Sequence, residues 1–373
     1  MEAAPARRNP AASLTDDLIV EILSRLPVRS VCRFKCVSRS WRNLISHPAH
    51  RKKLPHTLAG FFHTSLNSTR FPNRARHFTN VTGKGPPLIF PSFSFLAVPS
   101  DDVTLVDSCN GLLLCTFRCL KPCAHEGGGY SPFHYVVCNP ATKKWVVLPD
   151  SSGEDRTARL GFDPAVSSHF HVVEYVLDEE ECVTGVEIYS SKTAAWSFKE
   201  NKWGDYCMPY HSTSVFLNGF MHMLTVCYGV AVVDMEGELW RTIPVPTESI
   251  LSDGCIHQSQ GRLCFVHVDD TDSSKLSIWI LEDHGGHEWT LKHSVRIQFL
   301  FRKKNLQFDF DYKVIAFHPE CNLIYFVYGS DNTLMAYEMD RKEVRVIRNL
   351  GDEWLELCLP YVPWFGEALA DGL

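Results

Sequence analysis

Several things are missing from this 373-residue chain, and each absence removes a class of function. No apolar run approaches the ~20 residues a membrane-spanning helix needs. The first residues, MEAAPARRNPAAS, lack an apolar core segment, so a secretory signal is not expected and residues 1–12 read as a disordered lead. There is no G-x-S-x-G, no H-E-x-x-H and no phosphate-binding loop, which removes the common hydrolase, metalloprotease and nucleotide-binding readings. The 14 cysteines form no C-x2-C pairs. Several, such as Cys115, Cys138, Cys227 and Cys264, sit inside apolar runs, as reduced buried thiols of a cytosolic or nuclear protein do. Beyond residue 57 helical periodicity nearly vanishes.

The charge is unevenly placed. The net charge is −6. Residues 1–53 carry eleven Lys/Arg and four acids, a balance of +7, which leaves −13 for the remainder. A basic segment on an acidic body fits an acidic partner for that segment. Nucleic acid is not expected, because no aromatic residues interleave with the basic ones in a stacking pattern.

The helical signal is confined to Leu14–Ile45, LTDDLIVEILSRLPVRSVCRFKCVSRSWRNLI. A first helix should begin near Asp16, capped by Ser13 or Thr15, with Asp16, Asp17 and Glu21 in its early turns. Leu18, Ile22 and Leu26 recur every fourth residue beside Ile19 and Leu23, giving one apolar stripe. Pro27 should stop this helix. A second helix carries Val31 and Phe34. Ser38 can cap a third, with Trp41, Leu44 and Ile45 inward. So few residues cannot bury all these side chains against each other. The surplus either packs on the rest of the chain or waits for a partner.

These residues resemble an F-box. Leu14, Leu18, Ile22, Leu23, Arg25, Leu26, Pro27, Val31, Arg33, Val37, Trp41, Leu44 and Ile45 fall at that family's spacing, and Thr15 stands where the family usually has Pro. The resemblance implies an F-box domain over 13–54. It also implies a Skp-type adaptor, and through it a cullin–RING ubiquitin ligase, docking on Leu14, Leu18, Ile22, Leu26, Pro27, Val31 and Trp41.

From residue 58 on, short apolar runs are separated by Gly, Pro, Asn and Asp, the mark of an all-β domain. A turn followed by an apolar strand recurs at Asn110-Gly111, Asn218-Gly219, Gln260-Gly261 and Cys321-Asn322. A second strand follows, at Tyr135–Val137, Val230–Val233, Leu276–Trp279 and Met335–Tyr337. A polar turn and a Trp come next, at Trp145, Trp196, Trp240 and Trp289. A unit of roughly 45–50 residues with three or four strands reads as a propeller blade. Five fall near 105–150, 156–203, 210–250, 255–300 and 310–350. A weaker sixth lies in 58–99 (GFFHTS, RHFTNV, FSFLAV), and Trp354–Trp364 should pair back to close the ring. A pair of β-sandwiches is the alternative.

The S-x-N-G-L-L start at Ser108–Leu113, the N-P-x-T-x-x-W-x-x-L-P unit at Asn139–Pro149 and the G-F-D-P turn at Gly161–Pro164 resemble the F-box-associated, kelch-like domain of plant F-box proteins. Gly-Gly doublets, a kelch hallmark, occur only at Gly127–Gly129 and Gly285-Gly286. The fold expected is therefore a small all-α F-box of three helices, then an all-β propeller of about six blades over 58–365, with a tail over 366–373. The implied role is a non-catalytic substrate receptor without cofactor. A Skp-bound scaffold with no ubiquitin-ligase output is the other reading, and a propeller enzyme with a helical anchor a third. Loops 66–76, 116–132 and 201–211 are candidates for holding an unknown substrate protein, being long and carrying aromatic or basic side chains. Cys115, Cys119, Cys123 and His125 could supply zinc ligands, but their C-x3-C spacing is atypical and a loop thiol fits equally.

Overall fold

The structure is a computed structural model. It describes residues 14–26, 30–31, 34, 37–46, 50, 58–96, 103–118, 133–151, 158–178, 182–204, 214–225, 229–247, 254–269, 272–366 and 369. It contains two compact units, a helical one within residues 1–57 and a β unit that begins at Leu58.

In the helical unit, α1 spans Asp16–Ser24 and α2 spans Arg39–Ser46, and Ser30, Val31 and Phe34 between them are helical. Thr15 is the N-cap of α1: its backbone is extended and its Oγ1 accepts a 3.4 Å bond from the Leu18 N–H. Asp16 and Asp17 occupy the first turn, where negative charge suits the helix dipole. Ser38 caps α2, accepting from the Trp41 N–H at 3.1 Å. The core of the unit is Ile19, Val20, Leu23, Val31, Leu44 and Ile45.

The β unit is six sheets. The first four-stranded sheet contains β3 (Thr104–Cys109), β4 (Leu112–Arg118), β5 (Phe133–Asn139) and β6 (Lys144–Val147). The second contains β7 (Arg159–Gly161), β8 (His171–Leu177), β9 (Val183–Ser190) and β10 (Ala195–Glu200). The third contains β11 (Ser214–Leu217), β12 (Phe220–Leu224), β13 (Gly229–Asp234) and β14 (Trp240–Pro244). The fourth contains β15 (Gly254–Ser259), β16 (Arg262–Val268), β17 (Lys275–Leu281) and β18 (Trp289–Arg296), and the short helix α3 (Ile297–Phe301) follows. The fifth contains β19 (Tyr312–Phe317), β20 (Leu323–Tyr328), β21 (Thr333–Glu338) and β22 (Glu343–Asn349). Every pairing is antiparallel between sequence neighbours, as in up-and-down blades.

The sixth sheet closes the ring. It has three strands in the order β2 (Arg74–Asn80), β1 (Gly60–Leu66), β23 (Trp354–Tyr361), so the last strand of the chain pairs with the first. The first strands of successive sheets contact one another all the way round, from β3 through β7, β11, β15, β19 and β23 back to β3. This is a six-bladed propeller, as the repeat predicts. One part of the expectation fails. The described part of FSFLAV, residues 93–96, supplies no strand to the sixth blade and forms a turn, with the Leu96 N–H bonded to the Phe93 carbonyl at 2.9 Å. Pro86, Pro87 and Pro91 remove ladder donors just upstream. Phe93 and Leu96 pack instead into the cluster of Phe62, Phe78 and Leu113.

The repeated turn residues have a backbone reason. Asn110 and Gly111, Asn218 and Gly219, and Gln260 and Gly261 all have positive φ, as two-residue hairpin turns demand. At Gly111 a Cβ would also sit 2.6 Å from the Trp364 backbone nitrogen. The recurring Trp residues open the outer strands. The Trp196 indole donates to the Pro149 carbonyl at 2.8 Å and the Trp289 indole to the Pro244 carbonyl at 2.7 Å. Trp196 and Trp289 thus tie their blades to the end of the preceding one.

Candidate functional site

Two regions carry the candidates, one in each unit. In α1 the stripe read from the sequence splits in two. Ile19, Val20 and Leu23 face the unit's core. Leu14, Leu18 and Ile22 face solvent, with Leu18 at 52% and Ile22 at 48% exposure, and Val37 is exposed as well. Leu18 and Ile22, four residues apart, lie on one side of the helix, and Leu14 precedes the cap residue Thr15. Charge lies beside them: Arg25 at the helix end pairs with Glu21, one turn back. Of the other residues implied for docking, Leu26 and Trp41 are half-buried against the core, and Trp41 lies 5.3 Å from the Phe34 ring. Val31 is a core residue at 5% exposure, so its side chain packs inside and is not presented as the resemblance implies. Pro27 lies outside the described residues.

In the propeller the six innermost strands line a cavity of about 180 Å³, with Asp107, Leu160, Val215, His257, Phe317 and Pro360 on its wall. Several of its polar groups join blades. Asp107 accepts from the Ser108 N–H at 2.7 Å and the Leu160 N–H at 2.8 Å. Burial raises its pKa, and Arg159 opposes that shift. The Ser108 hydroxyl donates to the Pro360 carbonyl at 2.7 Å, and the Asn110 amide to the Phe162 carbonyl at 2.7 Å. Burial lowers the His257 pKa to about 4, so the ring is neutral at pH 7. The His257 Nε2 on this wall has no hydrogen-bond partner among the described residues, whereas Asp107, Ser108 and Asn110 are held by the fold.

Strand order decides what the rim carries. Connections from second to third strands and from fourth strands to the next blade share one face of the ring. The three loops singled out from the sequence are connections of this kind, β1–β2, β4–β5 and β10–β11. Residues 119–132 and 205–213 of them lie outside the described residues. The β1–β2 loop is tightly tied: Arg70 binds both Glu353 oxygens at 2.6 and 2.8 Å, and the Asn67 amide adds a third bond at 3.0 Å. These donors, with the Ser65 hydroxyl foremost, hold the Glu353 carboxyl down at about 2. Of the possible zinc ligands, Cys115 is fully buried in the apolar cluster beneath β4, and Cys119, Cys123 and His125 lie outside the described residues. Among the described residues no group of three or more His, Cys, Asp or Glu is placed to hold a metal ion. No helix among them is long and apolar enough to cross a membrane.

A family model described as F-box protein At3g26010-like, beta-propeller, matches residues 87–360. The chain belongs to this family. An F-box domain model matches residues 12–53, the helical unit. Among curated relatives, F-box protein At5g07610 of Arabidopsis thaliana is 26% identical over 323 residues, covering 76% of this chain and 70% of that protein. Putative F-box protein At4g38870 of the same plant is 23% identical and covers 92% of this chain and 83% of its own length. Among solved structures, a chain of a nidogen/laminin complex aligns with a TM-score of 0.43 at 8% identity, covering 81% of this chain and 97% of that one.

For an F-box propeller protein, the reading from sequence locates the helical module and the blades but overlooks one rim element, residues 297–311. That connection holds α3 and the run Arg302-Lys303-Lys304 between Phe299 and Phe310. The available signal is charge, since this is the one run of three basic residues after position 53 in a segment of net −13.

Proposed function

We propose that this protein is the substrate-recognition subunit of a Skp–cullin–F-box ubiquitin ligase. The observation that carries the reading is the outward apolar surface made by Leu18 and Ile22 of α1 with Leu14 just before its cap. The unit already has a core of its own, so these three side chains are unexplained by its folding. An apolar helix face of this kind docks into a groove on a partner, and basic side chains nearby aid orientation and encounter with an acidic one. Within the F-box match, that partner is a Skp-type adaptor. The propeller, kelch-like in its four-stranded blades with Trp at the outer strands, would hold a target protein on its rim. The output is proximity: a lysine of the target is kept near a charged conjugating enzyme, which raises its effective concentration. On this reading no residue of the chain performs chemistry, and the complex acts in the cytoplasm or nucleus.

Co-purification of the full chain with a Skp-type adaptor tests the reading. The intact chain is expected to form a complex, and Leu18→Asp with Ile22→Asp to lose it while circular dichroism shows an unchanged propeller. Absence of a complex with the intact chain would sink the proposal. A scaffold without ligase output would keep the adaptor but leave the half-life of its bound partner independent of these two residues.

A further inference from the structure

We infer that the 297–311 connection is a recognition element for an acidic segment of a partner protein. The inference rests on the receptor reading and gives the chemistry of what the rim would hold. The connection runs from the outer strand of the fourth blade to the inner strand of the fifth, on the face that also carries the β1–β2 loop. It is built to hold a shape. Ile297, Leu300 and Phe301 of α3 and Phe308 are buried. Phe301 stacks on Tyr328 at 4.7 Å. The Gln307 N–H donates to the Asp311 carboxylate at 2.8 Å, and the Asp311 N–H to the Gln307 carbonyl at 2.8 Å.

On this frame Arg302, Lys303 and Lys304 are all exposed. None has a carboxylate within ion-pair distance among the described residues, whereas Arg70, Arg74, Lys199, Arg262 and Lys275 each do. Two of them lie over rings. The Arg302 guanidinium lies 5.8 Å from the Phe299 centroid and the Lys303 ammonium 5.6 Å from that of Tyr328. Arg302 itself sits in the left-handed region at φ 58, where it ends α3. Phe299 is 40% exposed and Phe310 82%, so cations and apolar surface occur together. Asp309 and Asp311 reduce the local balance to +1 (three cations less two acids), but the Asp311 carboxylate is taken up by the loop's own backbone.

Local positive charge on a body of net −13 is a sign reversal, and it selects for an acidic ligand. Protein is favoured over nucleic acid. Three cations neutralise few phosphates, and the rest of the propeller repels a long polyanion. An acidic peptide with one large apolar residue satisfies both halves of the site, carboxylates on the three cations and the apolar side chain on Phe299.

The test uses the full chain in complex with its adaptor, and a fluorescein-labelled peptide of mixed Asp and Glu with a central Leu as the probe. Anisotropy is read at low and at physiological salt, because exposed charge contacts are screened. Binding is expected, weakening as salt rises. Arg302→Glu with Lys303→Glu and Lys304→Glu should weaken it at least about tenfold, whereas replacing both lysines with Arg should preserve it. A matched reversal at the β21–β22 turn, Arg341→Glu with Lys342→Glu, should change it less than about twofold. Equal losses from both reversals would reduce the effect to net charge and overturn the inference. So would no binding by the unaltered complex, or tighter binding of a single-stranded oligonucleotide of equal charge. Co-purification of the adaptor with each variant is scored separately: its loss counts against the receptor reading, and peptide binding alone decides the rim site.

Discussion

Leu18 and Ile22 of α1, and Leu14 just before its cap, face water while Ile19, Val20 and Leu23 face inward. In β13 of the propeller all six residues from Gly229 to Asp234 are buried. The two regions have similarly apolar segments and treat them differently. A central blade strand has sheet neighbours on both edges and packed sheets on both faces, so a continuous apolar run is used up by the fold. A helix in a small bundle has only one side to bury. Apolar residues in excess of that side are a cost in water, and their presence at regular spacing marks a surface meant to be covered. The propeller explains its own sequence; the module leaves Leu14, Leu18 and Ile22 over.

The largest effect should come from removing the element that makes the propeller self-sufficient. Ending the chain after Glu353 deletes β23, which supplies the ladder partner of β1 and the innermost strand of the closing blade. It also removes Trp364, whose carbonyl accepts the Asn139 amide at 2.8 Å. The truncated chain is expected to lose cooperative thermal unfolding altogether. A sharp transition near that of the full chain would mean that closure adds little, and that the ring's stability is the sum of single blades.

Within the module, two leucines five residues apart on opposite faces of α1 sharpen the comparison. Leu23 is 1% exposed, and Leu23→Ala should cost about 2–5 kcal/mol of module stability through lost burial and a cavity. Leu18→Ala should cost under about 0.5 kcal/mol, as exposed substitutions do. Adaptor affinity should nevertheless drop about tenfold in Leu18→Ala, the effect of truncating one interface anchor. Chemical denaturation and titration with the adaptor separate the two. If Leu18→Ala destabilised the isolated module as much as Leu23→Ala, the outward face would be structural after all.

The propeller should also respond to acid. Burial, foremost, lowers the pKa of His63 to about 3 and of His222 to about 4. Both rings are therefore neutral in the fold, while the unfolded chain protonates them near 6.5. Stability is complete above pH 6.5 and is lost as pH falls toward 4, by about 2 kcal/mol for each ring at pH 5. Glu353 acts in a lower window. Its pKa of about 2 gives stability that is present above 4.5 and lost only as pH falls below that. Urea midpoints at pH 7, 5.5 and 4.5 should decline, and His222→Gln should flatten the upper part of the decline. Identical midpoints at pH 7 and 5 would contradict it.

How much was legible beforehand follows from the same division. The blade strands could be read because hairpin turns need particular residues: Asn110-Gly111, Asn218-Gly219 and Gln260-Gly261 announce positive φ in the sequence itself. The closing of the ring by 354–361 was legible as an unpaired final strand. FSFLAV was misread because an apolar run packs equally well as a turn wedged against Leu113 and Phe78, and the upstream prolines are the only sign of it. The helical stripe was legible as a stripe but not as two faces. Periodicity shows that Leu18 and Leu23 are both on apolar positions; which of them has a neighbour depends on Val31, Leu44 and Ile45 folding back onto one side. Arg302–Lys304 was missed because charge runs are common on surfaces. What sets them apart is that no carboxylate lies within ion-pair distance of them among the described residues, which only the folded ring reveals.

The smallest expected effect concerns a position where the module departs from its family pattern. Thr15 stands where F-box sequences usually place Pro. Its φ is −72 and its ψ 156, values a proline ring adopts without strain. Thr15→Pro would lose the cap bond to Leu18, but at 3.4 Å that bond is long, and its loss falls at the lower end of cap energies, about 0.5 kcal/mol. Proline at a compatible site returns about 0.4–1 kcal/mol by restricting the unfolded chain. The two nearly cancel, so the variant should match the parent within about 0.5 kcal/mol. Leu14 and Leu18, either side of the cap, keep their outward positions, and adaptor affinity should stay within about twofold. A larger gain in affinity would show that Thr15 loosens the start of α1, and that the outward face of the helix is less preformed than its inward face.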